Sequence, residues 1–105
     1  GRARRMIPIL NDVDRALSQV EDDDESPVAQ GLRLLRNKLW RELEADGIKA
    51  IEAKGQEFNP STMEAITTLP ASEQFPAGQV IDVLEPGYMY KERVLCAARV
   101  VVATE

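Results

Sequence analysis

The chain has 105 residues, of which 44% are hydrophobic and 30% are charged, and its formal net charge is −5 at pH 7. This length suits one domain or two very small units, and the composition is that of a globular chain rather than a disordered one. The acidic balance argues against a nucleic-acid-binding protein, because such proteins need a basic patch to displace counterions from phosphates. No apolar run approaches the ~20 residues that cross a bilayer. We therefore expect no nucleic-acid partner and no membrane partner.

Histidine is absent, which removes the commonest general base and the commonest metal ligand. The only cysteine, Cys96, cannot form an internal disulfide and is predicted to be a small buried side chain on a strand. The sequence has neither a glycine-rich phosphate loop nor a nucleophile-elbow motif. We therefore expect no catalytic residue, no metal site and no cofactor. A small hydrolase that uses scattered carboxylates is the least supported alternative.

Two amphipathic helices are predicted in the first half of the chain. The first, from Met6 to Val20, has apolar residues alternately three and four positions apart, which is typical of a helix that packs against another helix. Ser26-Pro27 predicts the start of the second helix, because serine accepts from free N–H groups and proline is tolerated at the first helical position. Gly47 predicts its end. The apolar stripe of the second helix consists of Val28, Leu32, Leu35, Leu39 and Leu43.

The acidic segment Glu21–Glu25 is predicted to be a solvated connector between these helices. Two amphipathic helices joined by a short loop form a hairpin, but they cannot enclose a hydrophobic core alone. We therefore predict a homodimer in which two hairpins make a four-helix bundle. The residues assigned to this dimer interface are Leu10, Val13, Leu17, Leu32, Leu35 and Leu39.

Gly31 is unusual because it lies in the interior of the second predicted helix. A glycine there costs about 1 kcal/mol relative to alanine. Its presence has two interpretations. Either the glycine is a neutral substitution that the helix tolerates or one that lets two helices pack closely, or it belongs to a surface against which another protein lies. The spacing of the residues alone favours the first alternative.

After Gly47 the sequence has the patterns of strands and turns. A short strand is predicted from Ile48, with a turn at Gly55 and another, containing one helical turn, at Asn59-Pro60. Segment 67–78 is predicted to be a loop because it contains two prolines and a glycine. Segments 79–90 and 93–103 are rich in β-branched, aromatic and apolar residues and are predicted to be strands around a tight turn.

Strands that follow one another without long helices between them favour an antiparallel sandwich or barrel. The predicted class is therefore α+β. Residues 1–46 are expected to form a helical dimerisation region, and residues 47–105 an all-β domain. The charged residues Lys91, Glu92 and Arg93 are expected at the tip of the last hairpin.

Four segments resemble, in order and spacing, the GrpE family of nucleotide exchange factors. They are MIPILNDVDRAL, FNPSTMEAI, PAGQVIDVLEPGY and RVLCAARVVVA. The resemblance implies a non-enzymatic, cytoplasmic homodimer of bacterial type. Its β-domain would bind the nucleotide-binding domain of a DnaK-type chaperone, open the nucleotide cleft and promote ADP release. The alternative is a dimeric adaptor of the same fold that serves a different protein partner.

The resemblance also implies roles for three residues. Arg93 matches the arginine of the GrpE β-domain that contacts DnaK. Leu84 falls where the family has an apolar contact on the preceding strand. Gly31 aligns with a glycine of the second bundle helix that is important for binding DnaK, which reverses the preference stated above for a neutral substitution or close packing.

The sequence departs from the family pattern at three places. The usual Asn-Gly turn before the arginine is Lys91-Glu92 here, so a longer turn or a different turn type is expected. The usual Asp-Pro and histidine of the middle motif are Asn59-Pro60 and Met63. The long N-terminal helix of the family is expected to be reduced to Gly1–Arg5.

Overall fold

The computed structural model describes residues 2–105, with side chains from Arg4 onward. Its elements are α1 (Arg2–Leu17), α2 (Pro27–Ala45), β1 (Ile48–Ala50), β2 (Met63–Pro70), β3 (Val80–Glu85), β4 (Tyr88–Tyr90), β5 (Arg93–Cys96) and β6 (Ala98–Thr104). Two helices followed by strands confirm the α+β class. The chain divides into two compact units, a helical unit (Gly1–Ile48) and a β unit (Lys49–Glu105).

Helix α1 packs against α2 with the face that its apolar spacing predicts. Ile7, Leu10 and Val13 are buried on this face. The helix ends at Leu17 rather than at the predicted Val20. The N–H of Val20 instead donates to the carbonyl of Leu17 at 3.0 Å, so the residues after α1 form turns.

Helix α2 begins and ends where its capping residues predict. The Ser26 side chain accepts from the N–H of Ala29 at 3.2 Å, and Pro27 occupies the first helical position. After the helix, Gly47 has φ +90°, the conformation that makes glycine a common residue just beyond a helix. The buried face is displaced by one residue from the predicted stripe at its start, since Ala29 is buried while Val28 remains 73% exposed.

Arg33 holds the acidic segment against the second helix. Its guanidinium donates to the carbonyl of Asp24 at 2.6 Å and to that of Glu21 at 3.0 Å. The Asp24 carboxylate in turn accepts from the N–H of Ser26 at 2.8 Å. The predicted connector is therefore exposed, as expected, but it is an ordered turn that leads into the N-terminus of α2.

The capping arrangement predicts a pH dependence of stability. The backbone N–H of Ser26, then its side chain, and also the charge of Arg33, lower the pKa of Asp24. A carboxyl whose pKa is lower in the folded than in the unfolded state stabilises above its unfolded value and loses that contribution as pH falls through the folded value. We expect Asp24→Asn to destabilise the helical unit at neutral pH, and this loss should shrink as the pH falls below the ordinary aspartate pKa of about 3.9.

Urea unfolding followed by the fluorescence of Trp40, the only tryptophan, measures this effect. Asp23→Asn is the matched control, because it removes the same charge from the same segment and its side chain has no hydrogen bond among the described residues. Equal losses of stability in the two variants would mean that net charge, and not the contact with Ser26, is responsible.

The strands form two three-stranded sheets, ordered β1-β4-β5 and β2-β6-β3. Strand β6 lies in the middle of the second sheet, and its residues from Val100 to Ala103 are buried. The core of the β unit contains Ala53, Met63, Val80, Ala98, Val100 and Val102.

The prediction of a purely antiparallel β-domain is wrong. Strand β2 runs parallel to β6, from the pair Met63–Ala98 to the pair Pro70–Thr104, whereas β3–β6 and β4–β5 are antiparallel. A parallel pair needs a long connection. The three strands that lie between β2 and β6 in sequence provide it, although none of them is a helix.

Of three further local predictions, two are corrected and one is confirmed. Residues 67–70, predicted as loop, belong to β2, because Pro70 ends the strand at a sheet edge, where proline is tolerated. The single helical turn predicted at Asn59-Pro60 is present, because the N–H of Met63 donates to the carbonyl of Asn59 at 2.9 Å, four residues earlier. Cys96 is exposed rather than buried, because it lies on the short strand β5 and not on the central strand β6.

Gly87 lies where two backbone segments of the β unit approach closely. A Cβ built on Gly87 would lie 2.8 Å from the Cα of Ala98 and 2.8 Å from the carbonyl carbon of Ala97. The carbonyl of Gly87 accepts from the N–H of Ile51 at 2.9 Å. Only a residue without a side chain fits here, so Gly87 fixes the start of β4 and the position of the hairpin that follows.

Candidate protein-binding site

The hairpin tip (Tyr90–Arg93) closes β4 and β5 with a loop of only two residues, Lys91 and Glu92. Tyr90 and Arg93 pair directly across the hairpin. Lys91 has φ +52°, and it is the only described residue other than glycine whose φ is positive. A positive φ at the first loop position only is typical of a type II′ turn, whereas Asn-Gly favours type I′. The replacement of Asn-Gly is therefore consistent with a changed turn type and leaves a two-residue loop.

The two cations of the hairpin tip lie at the ring of Tyr90. The Nζ of Lys91 is 5.2 Å from the ring centroid, and the Cζ of Arg93 is 5.9 Å from it. Arg93 is exposed. In the part of the chain that the structure describes, it has no carboxylate partner, unlike Arg15, Arg36 and Arg99. The hairpin tip therefore presents an unpaired guanidinium on a fixed backbone.

Leu84 lies in an irregularity of β3. Val83 pairs with Val100 and Glu85 pairs with Arg99, so Leu84 is the extra residue of a β-bulge. The bulge leaves its side chain 52% exposed. The side chains of the neighbouring pair form an ion pair, in which the Nη1 of Arg99 lies 3.2 Å from the Oε1 of Glu85. An apolar side chain is thus presented to solvent beside an ion pair.

Gly31 is exposed on α2, and apart from the neighbouring residues and backbone of its own helix no described atom lies within 4 Å of the position that a Cβ would occupy. Packing within the described chain therefore gives no reason for a glycine. Gly31 belongs to the helical unit, whereas Leu84 and Arg93 belong to the β unit, where they lie on different sheets.

The exposure of Gly31 predicts the effect of Gly31→Ala on stability. Because the added methyl group meets nothing in the described chain, the gain in helix propensity should raise the free energy of unfolding of the helical unit by about 1 kcal/mol. Urea unfolding followed by Trp40 fluorescence measures it. Gly55→Ala is the control, followed by the near-UV circular dichroism of the tyrosines because Gly55 belongs to the β unit; it should lose stability, since Gly55 also has open space but has φ +78°, where alanine is strained. A loss of stability in Gly31→Ala would show that a second chain packs against this point.

The residues assigned to the dimer interface differ in their surroundings. Leu10 and Val13 are buried within the hairpin, and Leu17, Leu32 and Leu39 are partly buried. Leu35 is 45% exposed. The large apolar side chains that the described parts of the two helices leave exposed are Ile9, Val28, Leu34 and Leu35. Ile9 and Leu34 lie on the flanks of the stripes, which is why apolar spacing alone did not assign them to the interface.

Tyr90 was not identified from the sequence as part of the site. The signal was present, because an aromatic residue directly precedes Lys91-Glu92-Arg93, but only the geometry of the turn could show that both cations reach its ring.

No group of Cys, Asp and Glu side chains among the described residues could hold a metal ion. None of the described helices combines the length and apolar character needed to cross a membrane.

Known proteins resemble this chain over almost its whole length. A family model, GrpE, matches residues 2–104. Protein GrpE of Pediococcus pentosaceus is 38% identical over 101 residues, which are 96% of this chain and 52% of that protein. Protein GrpE of Fructilactobacillus sanfranciscensis is 37% identical over 102 residues, covering 96% of this chain and 57% of that protein.

A relative from a third genus gives the same result. Protein GrpE of Parabacteroides distasonis is 37% identical over 103 residues, or 97% of this chain and 53% of that protein. The chain thus spans about half the length of the curated relatives that it matches. With a family model that covers both the helices and the strands, the chain belongs to the GrpE family.

Proposed function

We propose that this chain is a nucleotide exchange factor for a DnaK-type chaperone. It binds the nucleotide-binding domain of the chaperone, favours the open nucleotide cleft and promotes ADP release. The observation that carries the proposal is the hairpin tip, where Arg93 is exposed, is held by a two-residue loop and has no carboxylate partner in the described chain. Membership of the GrpE family supports the choice of partner.

Such an activity needs differential binding and no acid or base chemistry. A partner that binds the open cleft more tightly than the closed one shifts the equilibrium between them by the ratio of its two affinities. The absence of histidine agrees with this mechanism. The chain would use its binding energy to stabilise the chaperone conformation from which ADP escapes.

Three residues are proposed to contact the chaperone. The Arg93 guanidinium can donate two parallel hydrogen bonds to one carboxylate, which gives orientation as well as affinity. Leu84 offers an apolar contact because the bulge exposes it. Gly31 lets a partner backbone approach α2, since the space around it is open.

We also propose that the helices form a homodimer. A single hairpin leaves Ile9, Val28, Leu34 and Leu35 exposed, and a second hairpin that covers them would complete a four-helix bundle. Equilibrium sedimentation of the chain, with Leu35→Glu as a variant, tests this. A wild-type monomer at all concentrations would contradict it.

The release of a fluorescent ADP analogue from a DnaK-type chaperone, with and without this chain, tests the exchange function. Faster release is expected, together with tighter binding to the nucleotide-free chaperone than to the ADP-bound form. Equal affinity for the two forms would rule out the proposed mechanism, because such a partner could not shift the cleft equilibrium.

A dimeric adaptor for another partner is the second candidate. It is favoured by one observation, the replacement of Asn-Gly by Lys91-Glu92 with its positive φ at Lys91. The two candidates differ in a direct binding assay. Binding to the chaperone that does not depend on its nucleotide, or no binding at all, is expected only for the adaptor.

A further inference from the structure

We propose that Tyr90 is a positioning residue, which holds the guanidinium of Arg93 so that its N–H groups face a carboxylate on the partner; this inference rests on the proposed function. Tyr90 and Arg93 are a direct cross-strand pair, so their side chains leave the same face of the hairpin. The 5.9 Å between the Arg93 Cζ and the ring centroid lies within the range of a cation–π interaction.

The turn geometry contributes to this arrangement. The positive φ of Lys91 reverses the chain within two residues, and the Nζ of Lys91 also comes to 5.2 Å from the ring centroid. Both cations of the hairpin tip thus lie near one aromatic ring, although Glu92 separates them in sequence. A hairpin with an aliphatic residue at position 90 would leave both side chains to sample many rotamers.

The same geometry indicates the chemistry of the group that Arg93 binds. A cation is attracted to the face of an aromatic ring, and this interaction does not use the hydrogen-bonding capacity of the guanidinium N–H groups. No carboxylate in the described chain pairs with Arg93. A planar, bidentate acceptor on the partner, such as an aspartate or glutamate carboxylate, fits these free donors.

Two substitutions distinguish the effect of the aromatic face of Tyr90 from the effect of an apolar side chain at this position. Tyr90→Leu removes the aromatic face and keeps an apolar side chain, whereas Tyr90→Phe keeps the face. We expect Tyr90→Leu to weaken binding to the nucleotide-free chaperone about 2- to 5-fold and Tyr90→Phe to leave it unchanged. In an Arg93→Ala background, Tyr90→Leu should have no further effect. An equal loss in the presence and absence of Arg93 would overturn the positioning role, since a merely structural effect does not depend on the arginine.

The positioning can be measured without the chaperone. In NMR spectra of the chain alone, the Arg93 side-chain protons should show upfield ring-current shifts that persist in Tyr90→Phe and disappear in Tyr90→Leu. Absence of these shifts in the wild-type chain would overturn the inference. If the shifts are present and the chaperone does not bind, the proposed function fails while the ring–arginine contact stands, so the two failures are distinguishable.

Discussion

Replacing Arg93 with alanine is expected to weaken binding to a nucleotide-free DnaK-type chaperone by about 10- to 100-fold, with a matching loss of ADP release. This magnitude corresponds to the loss of hydrogen bonds between charged groups. Arg93 has no ion-pair partner within the described chain, so its removal should leave the stability of the β unit nearly unchanged. Titration of the labelled chaperone with the variant measures the affinity, and thermal unfolding checks the fold.

Two control variants define the cause of such a loss. Arg93→Lys keeps the positive charge and loses the fork of donors, so it should bind with intermediate affinity. Arg15→Ala removes an arginine that is similarly exposed but pairs with Asp12 at 3.2 Å on α1, and it should bind normally. If Arg15→Ala weakened binding as much as Arg93→Ala, the net charge of the chain would be the cause rather than the hairpin tip.

Replacing Gly87 with alanine is expected to reduce the free energy of unfolding of the β unit by about 1–3 kcal/mol. The added methyl group would overlap the backbone at Ala97 and Ala98, which cannot rotate away as the end of a flexible side chain can. Relief of the overlap requires β4 to move, and the hairpin tip would move with it. We therefore expect weaker chaperone binding as a second effect of this substitution.

The positions of the aromatic residues allow the two units to be measured separately. Both tyrosines, Tyr88 and Tyr90, lie in the β unit, while Trp40 lies in the helical unit. In Gly87→Ala, the urea midpoint from tyrosine near-UV circular dichroism should fall, and the midpoint from tryptophan fluorescence should not. Gly31→Ala is the reciprocal control, with an effect on the tryptophan signal only. An unchanged tyrosine midpoint in Gly87→Ala would contradict the close approach of the backbones.

Features that depend on a few adjacent residues were predictable from the sequence. The start of α2 follows from Ser26-Pro27 and its end from Gly47, because caps and glycine conformations are local effects. The hairpin at Lys91-Glu92 was also predictable, since two apolar runs flank a charged pair. The burial of Leu10 and Val13 follows from their helical spacing.

Features that depend on which segments meet were not predictable. Nothing in β2 specifies a parallel rather than an antiparallel partner, and the strand continues to Pro70 because β6 provides hydrogen-bonding groups there. The bulge that exposes Leu84 is a mismatch between two strands, so neither strand encodes it alone. The cations at Tyr90 depend on a positive φ at Lys91, a residue type that rarely adopts it.

The parallel pairing of β2 with β6 has a consequence for the order of folding. Met63 must find Ala98 across the whole of β3, β4 and β5, whereas α1 and α2 are joined by a short turn. Closing a long loop costs entropy before the contacts between its ends can compensate for that cost, and this slows folding. The helical unit should therefore form first, and two chains could associate through their helices while their β units are still unstructured. Assembly of the proposed dimer would then precede the appearance of the hairpin that the chaperone is proposed to bind, so newly made chains would form that dimer before they bind the chaperone.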